Sequence, residues 1–408
     1  MPALVFEMKL SKLIKAYLRG KIKTSGYWKS GGPLSIKEVP LPKLISNDWV
    51  IVRTIYCGIC GSDMKEITLS GNRDNPLQTL ISFPQIMGHE PVGIIERVGS
   101  TVKNFKQGDR IVISPWFSCA SRGIKPPCLR CQQGDYVHCS NFKKGQLPPG
   151  MHLGVTTGFG GFAPYIAVHE SQCYLIPKNI KFEQAVLADP FSVAFHSLLT
   201  LNPNPKDIIM VYGLGVIGLL TILCLKNLFN VEKIIAIARY SFQSELALEL
   251  GASKIFTSSS GQLIEEISNY LDLKLYKPEK GLKWVVDGVD GIIDTIASNE
   301  TLEIGIRITR TQGKIIFLGV STPKRVENTL HYFKELEIIG SNAFSIETFE
   351  KQSQHAFNFF LDFLSEERID ISKFVTHIFP LEDYNKAFDV LTNKKKTKAI
   401  KVLFKFNN

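Results

Sequence analysis

From about residue 48 to 185 the apolar positions come in short runs rich in β-branched and aromatic residues, broken by glycine and proline: DWVIVRTIYCG, GIIERVGS, DRIVISPW and APYIAVHE. This pattern predicts strands of a compact β-rich domain whose loops are available for chemistry. Near residue 190 the period changes. Strand-like runs (DIIMVYG, KIIAIA) now alternate with helical ones (VIGLLTILCLKNL, FQSELALELGA). That alternation predicts βαβ units and a parallel sheet. GIIDTIA and GKIIFLGV read as further strands. ETFEKQSQHAFNFFLDFLSEE reads as a helical stretch, followed by another helix and a last strand, AIKVLFKF. Residues 272–289 read as an insertion in the βαβ region, and no internal repeat is present.

One turn between strand and helix carries a chemical signature. In VYGLGVIG, residues 211–218, Gly213, Gly215 and Gly218 fit G-x-G-x-x-G, with Val216 and Ile217 opening the helix. The first glycine permits a tight turn, the second lets a pyrophosphate approach the backbone, and the third lets helix and strand pack closely. Twenty residues beyond Gly218, where an NAD site places an acid for the ribose 2′-hydroxyl, the chain reads Ala238-Arg239-Tyr240. A 2′-phosphate is not repelled there. Arg239 can clamp it, and Tyr240 or the guanidinium plane can stack on adenine. The expected cofactor is NADP, with NAD as the alternative.

Eight cysteines in 408 residues are too sparse for a disulfide scaffold, yet six lie between Cys57 and Cys139. Such crowding favours metal. CGICGSDMK supplies Cys60, MGHEPVG supplies His89 and Glu90, and LADPFSV supplies Asp189. A thiolate, an imidazole and an acid suit zinc with one position left open. Downstream, Cys119, Cys128, Cys131 and Cys139 give C-x8-C-x2-C-x7-C. Four thiolates close a tetrahedral site, the mark of structural zinc.

Composition narrows the classes. Hydrophobic residues make up 44% and charged residues 21% of the chain, enough for proper cores and against disorder. The length suggests two or three domains. The net charge of +10 is spread along the chain, with NKKKTK at 393–398 the one clear run. Without an aromatic–basic recognition motif, no nucleic-acid partner is expected. No apolar run reaches the roughly 18–20 residues of a membrane span, so no membrane partner is expected either. The N-terminus lacks a signal-peptide pattern, and a cytoplasmic protein is the expectation.

The order CGICGSD, GHE, four-cysteine loop, DPFSV and GLGVIG resembles the zinc-dependent medium-chain dehydrogenase/reductase family over nearly the whole chain. The acid in DPFSV is similar to the polyol (sorbitol) and threonine dehydrogenase branch. The resemblance implies an α/β protein: a GroES-like β-rich catalytic domain over 1–189, completed by 342–408, and a doubly wound Rossmann domain over 190–341. It also implies hydride transfer between NADP(H) and an alcohol or polyol, or the matching aldehyde or ketone, with zinc as Lewis acid. A homodimer or homotetramer is implied as well.

The resemblance assigns Cys60 to the catalytic zinc and leaves Cys57 as a packed strand residue. Asp189 is either the third protein ligand or the group holding the zinc water, and Glu90 either a transient ligand or a group behind the ligands. Ser62 relays the substrate proton, Asp63 orients His89, and Lys65 continues the relay where many relatives carry histidine. Lys401 falls where relatives place a basic residue near the cofactor phosphates. His196 is expected in the core. The chain departs from the family in the eight-residue gap after Cys119, where two is common, and in its longer segment around 10–32.

Three rivals explain less. A zinc ribbon needs its cysteine pairs roughly 15–20 residues apart, whereas 67 residues separate Cys60 from Cys128. A zinc-free quinone or enone reductase would lack Cys60, His89 and the cysteine lobe. A thiol-redox pair of Cys57 and Cys60 calls for a helix N-terminus in a thioredoxin-like context, and the string follows a strand.

Overall fold

A computed structural model describes residues 1–71, 75–319 and 327–406. The chain forms two compact units. One comprises Met1–Asp189, Phe357–Glu366 and Asp370–Asn408, the other Pro190–Ala356 and Glu367–Ile369.

The first unit is organised by the strand Trp49–Gly58. It pairs antiparallel with Glu90–Val98 on one side. On the other side its first half pairs with Tyr165–His169 and its last residues with Lys401–Lys405. Arg110–Ile113, Cys173–Leu175 and Val375–Pro380 complete a seven-stranded sheet. The register places Gly58 between Glu90 and Leu403. Gly58 and Leu403, 345 positions apart in sequence, are thereby brought to one spot at the end of the strand. The sheet interior is built from alternating apolar residues such as Val50, Val52, Ile95 and Ile111, each fully buried. A second cluster joins Trp28, Ile59, Ile67 and Phe162 to Phe388 and Phe404.

The second unit holds a six-stranded parallel sheet in the order Lys254–Phe256, Lys233–Ile237, Ile208–Tyr212, Val289–Asp294, Thr309–Phe317, Glu337–Gly340. Numbered along the chain, this is 3-2-1-4-5-6, the doubly wound order with its switch point beside the first strand. Ile209, Met210 and Val211 are at most 1% exposed. A continuous apolar run of this kind is required of a strand covered on both faces.

Three expectations change. The first half of ETFEKQSQHAFNFFLDFLSEE is a hairpin, Ile346–Phe349 with Gln352–His355, and only Ala356–Ser365 is helical. Its turn residues Glu350 and Lys351 both adopt positive φ, +48° and +67°. This two-residue turn matches the strand twist without glycine, so the usual signal is missing. Second, Cys60 is followed directly by a short helix, Gly61–Ile67. Third, His196 is 30% exposed and holds Glu347 at 2.8 Å instead of lying in the core. The 272–289 segment folds back on itself, with Tyr276 stacked on Trp284 at 4.9 Å.

Candidate metal centres and cofactor loop

At Gly58 the central strand ends, and Cys60 caps the helix Gly61–Ile67 with an extended backbone. The Asp63 carboxylate turns back from that helix. One oxygen accepts the Cys60 N–H at 2.8 Å, and the other lies 3.4 Å from Nδ1 of His89. Asp63 is 5% exposed. One buried carboxylate thus orients both the thiol-bearing residue and the imidazole, leaving Nε2 of His89 for a ligand. His89 itself follows Gly88, whose φ is +85° and whose missing side chain makes room for the Phe162 ring.

Glu90 opens the neighbouring strand opposite Gly58. The donor atoms of Cys60, His89 and Glu90 all lie within 4.8 Å of one another. A thiolate, an imidazole and a carboxylate in one buried corner match a three-ligand zinc set with an open fourth position. Behind Glu90 stands Lys401, whose ammonium forms an ion pair with it while donating to the Ile59 carbonyl at 3.3 Å. Lys401 is 1% exposed, so it serves Glu90 and is not presented to a phosphate. Burial alone would lower the pKa of Lys401, but Glu90, Cys60 and Asp189 together raise it.

Asp189 sits in the first turn of the helix Ala188–Leu201, 8% exposed. Its carboxylate is not part of the three-donor set. Burial foremost, then Glu90 and Asp63, push it up to about 7 against the opposing pull of His89 and Lys401. Ser62 and Lys65 are exposed on the same short helix, three residues apart and so on one face.

Two neighbours escaped the sequence reading. His152 stacks edge-on against Trp116 at 4.8 Å, with its ring 5.4 Å from that of His89. Burial first and the His89 charge second pull His152 down to about 3, so it stays neutral. An isolated histidine in PGMHLGV carries no spacing signal. The Glu66 carboxyl is pushed up to about 8 by burial and by Asp63. Its spacing of three from Asp63 on one helix was the only available hint.

The four downstream sulfurs also lie within 4.8 Å of one another, with Cys119 and Cys139 Sγ atoms 3.7 Å apart. A tetrahedral zinc with Zn–S near 2.3 Å has sulfur–sulfur edges of about 3.8 Å. Backbone N–H groups of Cys119 and Cys128 point at the Cys131 and Cys119 sulfurs at 3.4 and 3.3 Å, as thiolates require. Cys119 joins the set despite its long gap, in which Arg122 ties the chain to the 144–150 segment. This fully buried guanidinium donates to the carbonyls of Lys144, Leu147, Pro148 and Gly150. His138 is exposed and turns to Asp135 at 2.8 Å, away from a ligand role.

In the second unit, the loop after Ile208–Tyr212 divides its work among the glycines. Gly213 has φ +91° and lies against Thr295 and Ile296 at the switch point. A Cβ on Gly215 would meet nothing within 4 Å, which leaves the approach to the backbone open. One on Gly218 would strike the Gly213 carbonyl. The helix Val216–Asn227 then begins, and its first N–H groups lack intrahelical acceptors. Open backbone and unpaired N–H groups of this kind are the arrangement that suits a pyrophosphate. At the end of Lys233–Ile237, Ala238 is buried and Arg239 is exposed with its guanidinium 5.5 Å over the Tyr240 ring. Tyr240 stacks on Phe242 at 5.8 Å.

Residues 46–178 match the alcohol dehydrogenase GroES-like domain, and residues 216–358 match the zinc-binding dehydrogenase domain. The chain belongs to the zinc-containing medium-chain dehydrogenase/reductase family. Within this family it is 29% identical to L-idonate 5-dehydrogenase of Vitis vinifera, over 91% of each chain. It is also 29% identical to (R,R)-butanediol dehydrogenase of Saccharomyces cerevisiae, over 94% of this chain and 97% of the relative. Among solved structures, the alcohol dehydrogenase rspB of E. coli CFT073, complexed with NADH, superposes with a TM-score of 0.76 at 25% identity, covering 100% of this chain and 99% of that one. The medium-chain dehydrogenase/reductase described here is an oxidoreductase of the zinc-containing, NAD(P)-dependent alcohol dehydrogenase type, acting on CH–OH donors. Among the described residues no helix is long and apolar enough to cross a membrane.

Proposed function

We propose that this chain transfers a hydride between NADP(H) and an alcohol or polyol, or the corresponding aldehyde or ketone. The observation that supports it most is the convergence of Cys60, His89 and Glu90 donor atoms within 4.8 Å in a buried corner. Zinc held there supplies Lewis acidity toward the substrate oxygen, and the nicotinamide carries the hydride. The residues do the rest. Asp63 keeps His89 in one orientation and the Cys60 backbone in place. Glu90 completes the set, with Lys401 balancing its charge, and Asp189 holds a proton-accepting carboxyl nearby. Ser62 Oγ accepts the substrate hydroxyl proton as it releases its own toward solvent, and Lys65, three residues on, stands at the outer end of that relay, donating a proton only as it regains one. Gly215 with the N–H groups of Val216, Ile217 and Gly218 binds the pyrophosphate. Ala238 removes the acid that would repel a 2′-phosphate, Arg239 pairs with that phosphate, and Tyr240 supports the arginine. Cys119, Cys128, Cys131 and Cys139 hold a second, structural zinc. The names of the relatives favour polyols and vicinal diols as the substrate class.

The test is a panel of polyols and simple alcohols assayed with NADP and NAD side by side. The proposal predicts higher kcat/KM with NADP. Arg239→Ala should lower kcat/KM for NADP roughly ten- to a hundredfold, the loss of a charge-assisted contact, while sparing NAD. An unchanged NADP preference in that variant defeats the cofactor assignment and favours the NAD-dependent sorbitol- or threonine-dehydrogenase-like reading.

A further inference from the structure

The segment that the family resemblance leaves unexplained forms a helix, Leu10–Ile22. Its inner side is firmly seated. Ala16 is fully buried, Leu13 packs into the cluster around Trp28 and Ile67, and Gly20 lies so close to the Tyr27 ring that a side chain there would collide with it. Its outer side is apolar and uncovered. Leu10, Ile14, Tyr17, Leu18 and Ile22 are 72, 51, 48, 60 and 88% exposed. Their spacing of i, i+4, i+7, i+8 and i+12 puts them on one face over about 20 Å of helix.

One edge of that face is basic, through Lys15 and Arg19, and Lys21 lies within the face itself. From residue 8 to 37 the chain has Lys9, Lys12, Lys15, Arg19, Lys21, Lys23, Lys29 and Lys37 and no acid. Glu7, at the base of the helix, is engaged by Lys9, Lys12 and Lys37. Lys15, Arg19, Lys21 and Lys23 pair with no carboxylate among the described residues, and Lys21 lies over the Tyr17 ring at 5.3 Å.

Against the expectation of no membrane partner, which rested on the lack of a spanning segment, we propose that the outer face of the helix Leu10–Ile22 is a docking surface for an anionic lipid bilayer, holding this dehydrogenase at a membrane surface without spanning it. Large apolar side chains on one face, lysine and arginine that meet no carboxylate along one edge and within the face, and no acid are what an interfacial helix requires. A second copy of the chain is a poor occupant. Antiparallel self-complementary pairing of this face would set the basic edge against its own copy. The helix is also anchored to a folded body, so the apolar face is presented ready-formed and need not order on contact.

The test is flotation of the full chain with vesicles of pure phosphatidylcholine and of phosphatidylcholine mixed with phosphatidylglycerol, at low and high salt. The proposal predicts association with the phosphatidylglycerol vesicles only, weakened by salt. Leu18→Gln with Ile22→Gln, and separately Lys15→Glu with Arg19→Glu, should each reduce that association at least tenfold. All four positions are exposed, so dehydrogenase activity and thermal midpoint should hold, which separates this surface from the catalytic proposal. Equal binding to both vesicle types, or to neither, overturns it. Concentration-dependent dimerisation without vesicles, abolished by Leu18→Gln with Ile22→Gln, also overturns it and assigns the face to a second copy.

Discussion

Lys401 and Glu90 form an ion pair in which each side chain is only 1% exposed. Gly58 makes it possible, because a side chain at that position would collide with the Glu90 carboxylate. Removing one partner of such a pair strands a charge away from water, at about 3–5 kcal/mol. Lys401→Met should therefore destabilise the metal-free protein by about that amount. The loss should be smaller in the zinc-loaded protein, where the ion compensates the Glu90 charge. Urea unfolding with and without zinc reads both. Equal stability of Lys401→Met and the parent without metal would show that the pair does not matter.

Arg122 holds the four-cysteine lobe together through carbonyls of residues 144–150. Arg122→Leu leaves several buried acceptors without donors. We expect a loss of at least about 3 kcal/mol, along with faster release of the structural metal to a chelator. Arg122→Lys keeps the charge but cannot span the same carbonyls, so it should fall between the two. An unchanged unfolding midpoint in Arg122→Leu contradicts this role.

Glu7 lies below its ordinary value of 4.5, at about 2, chiefly through hydrogen bonds from Lys12 and then Lys37. A carboxylate with a lowered folded-state pKa contributes stability above its unfolded value, and that stability is lost as pH falls. Glu7→Gln should flatten the acid limb of the stability profile between pH 4.5 and about 2 and leave its shape above pH 5–6 unchanged. Circular dichroism across that range decides it. An acid limb identical to the parent's would remove Glu7 from the account.

Neutral His152, edge-on to Trp116 and near His89, narrows the space around the metal donors. His152→Ala should alter KM and the ranking of alcohols while leaving zinc content unchanged. The same alcohol panel with metal analysis tests this, and loss of zinc in the variant would place His152 among the metal-holding groups instead.

The legible parts of this protein were those where one local rule governs. The βαβ rhythm announced the parallel sheet, and the three glycines announced their separate duties, because helix, strand and turn periods are written in neighbouring residues. The grouping of Cys60 with His89 followed from motif order and family resemblance. The Lys401–Glu90 contact was hidden because it depends on the register between strands far apart in the chain. The 346–355 hairpin was hidden because Glu350 and Lys351 hold left-handed backbone without glycine. Nothing local in the sequence marks Arg122, in the long gap after Cys119, as buried, and only the folded lobe shows the carbonyls that surround it.

Hydride transfer is proposed to depend on a metal held by Cys60, His89 and Glu90. This dependence is tested most directly by counting zinc in the purified parent and in Cys60→Ala and measuring NADP-linked alcohol oxidation in the same samples. The parent should hold two zinc ions per chain, one per donor cluster. Folded Cys60→Ala should hold one, with kcat/KM lower by about a thousandfold or more, the scale of losing a Lewis acid worth several kcal/mol. Two zinc ions or parental activity in Cys60→Ala would contradict it.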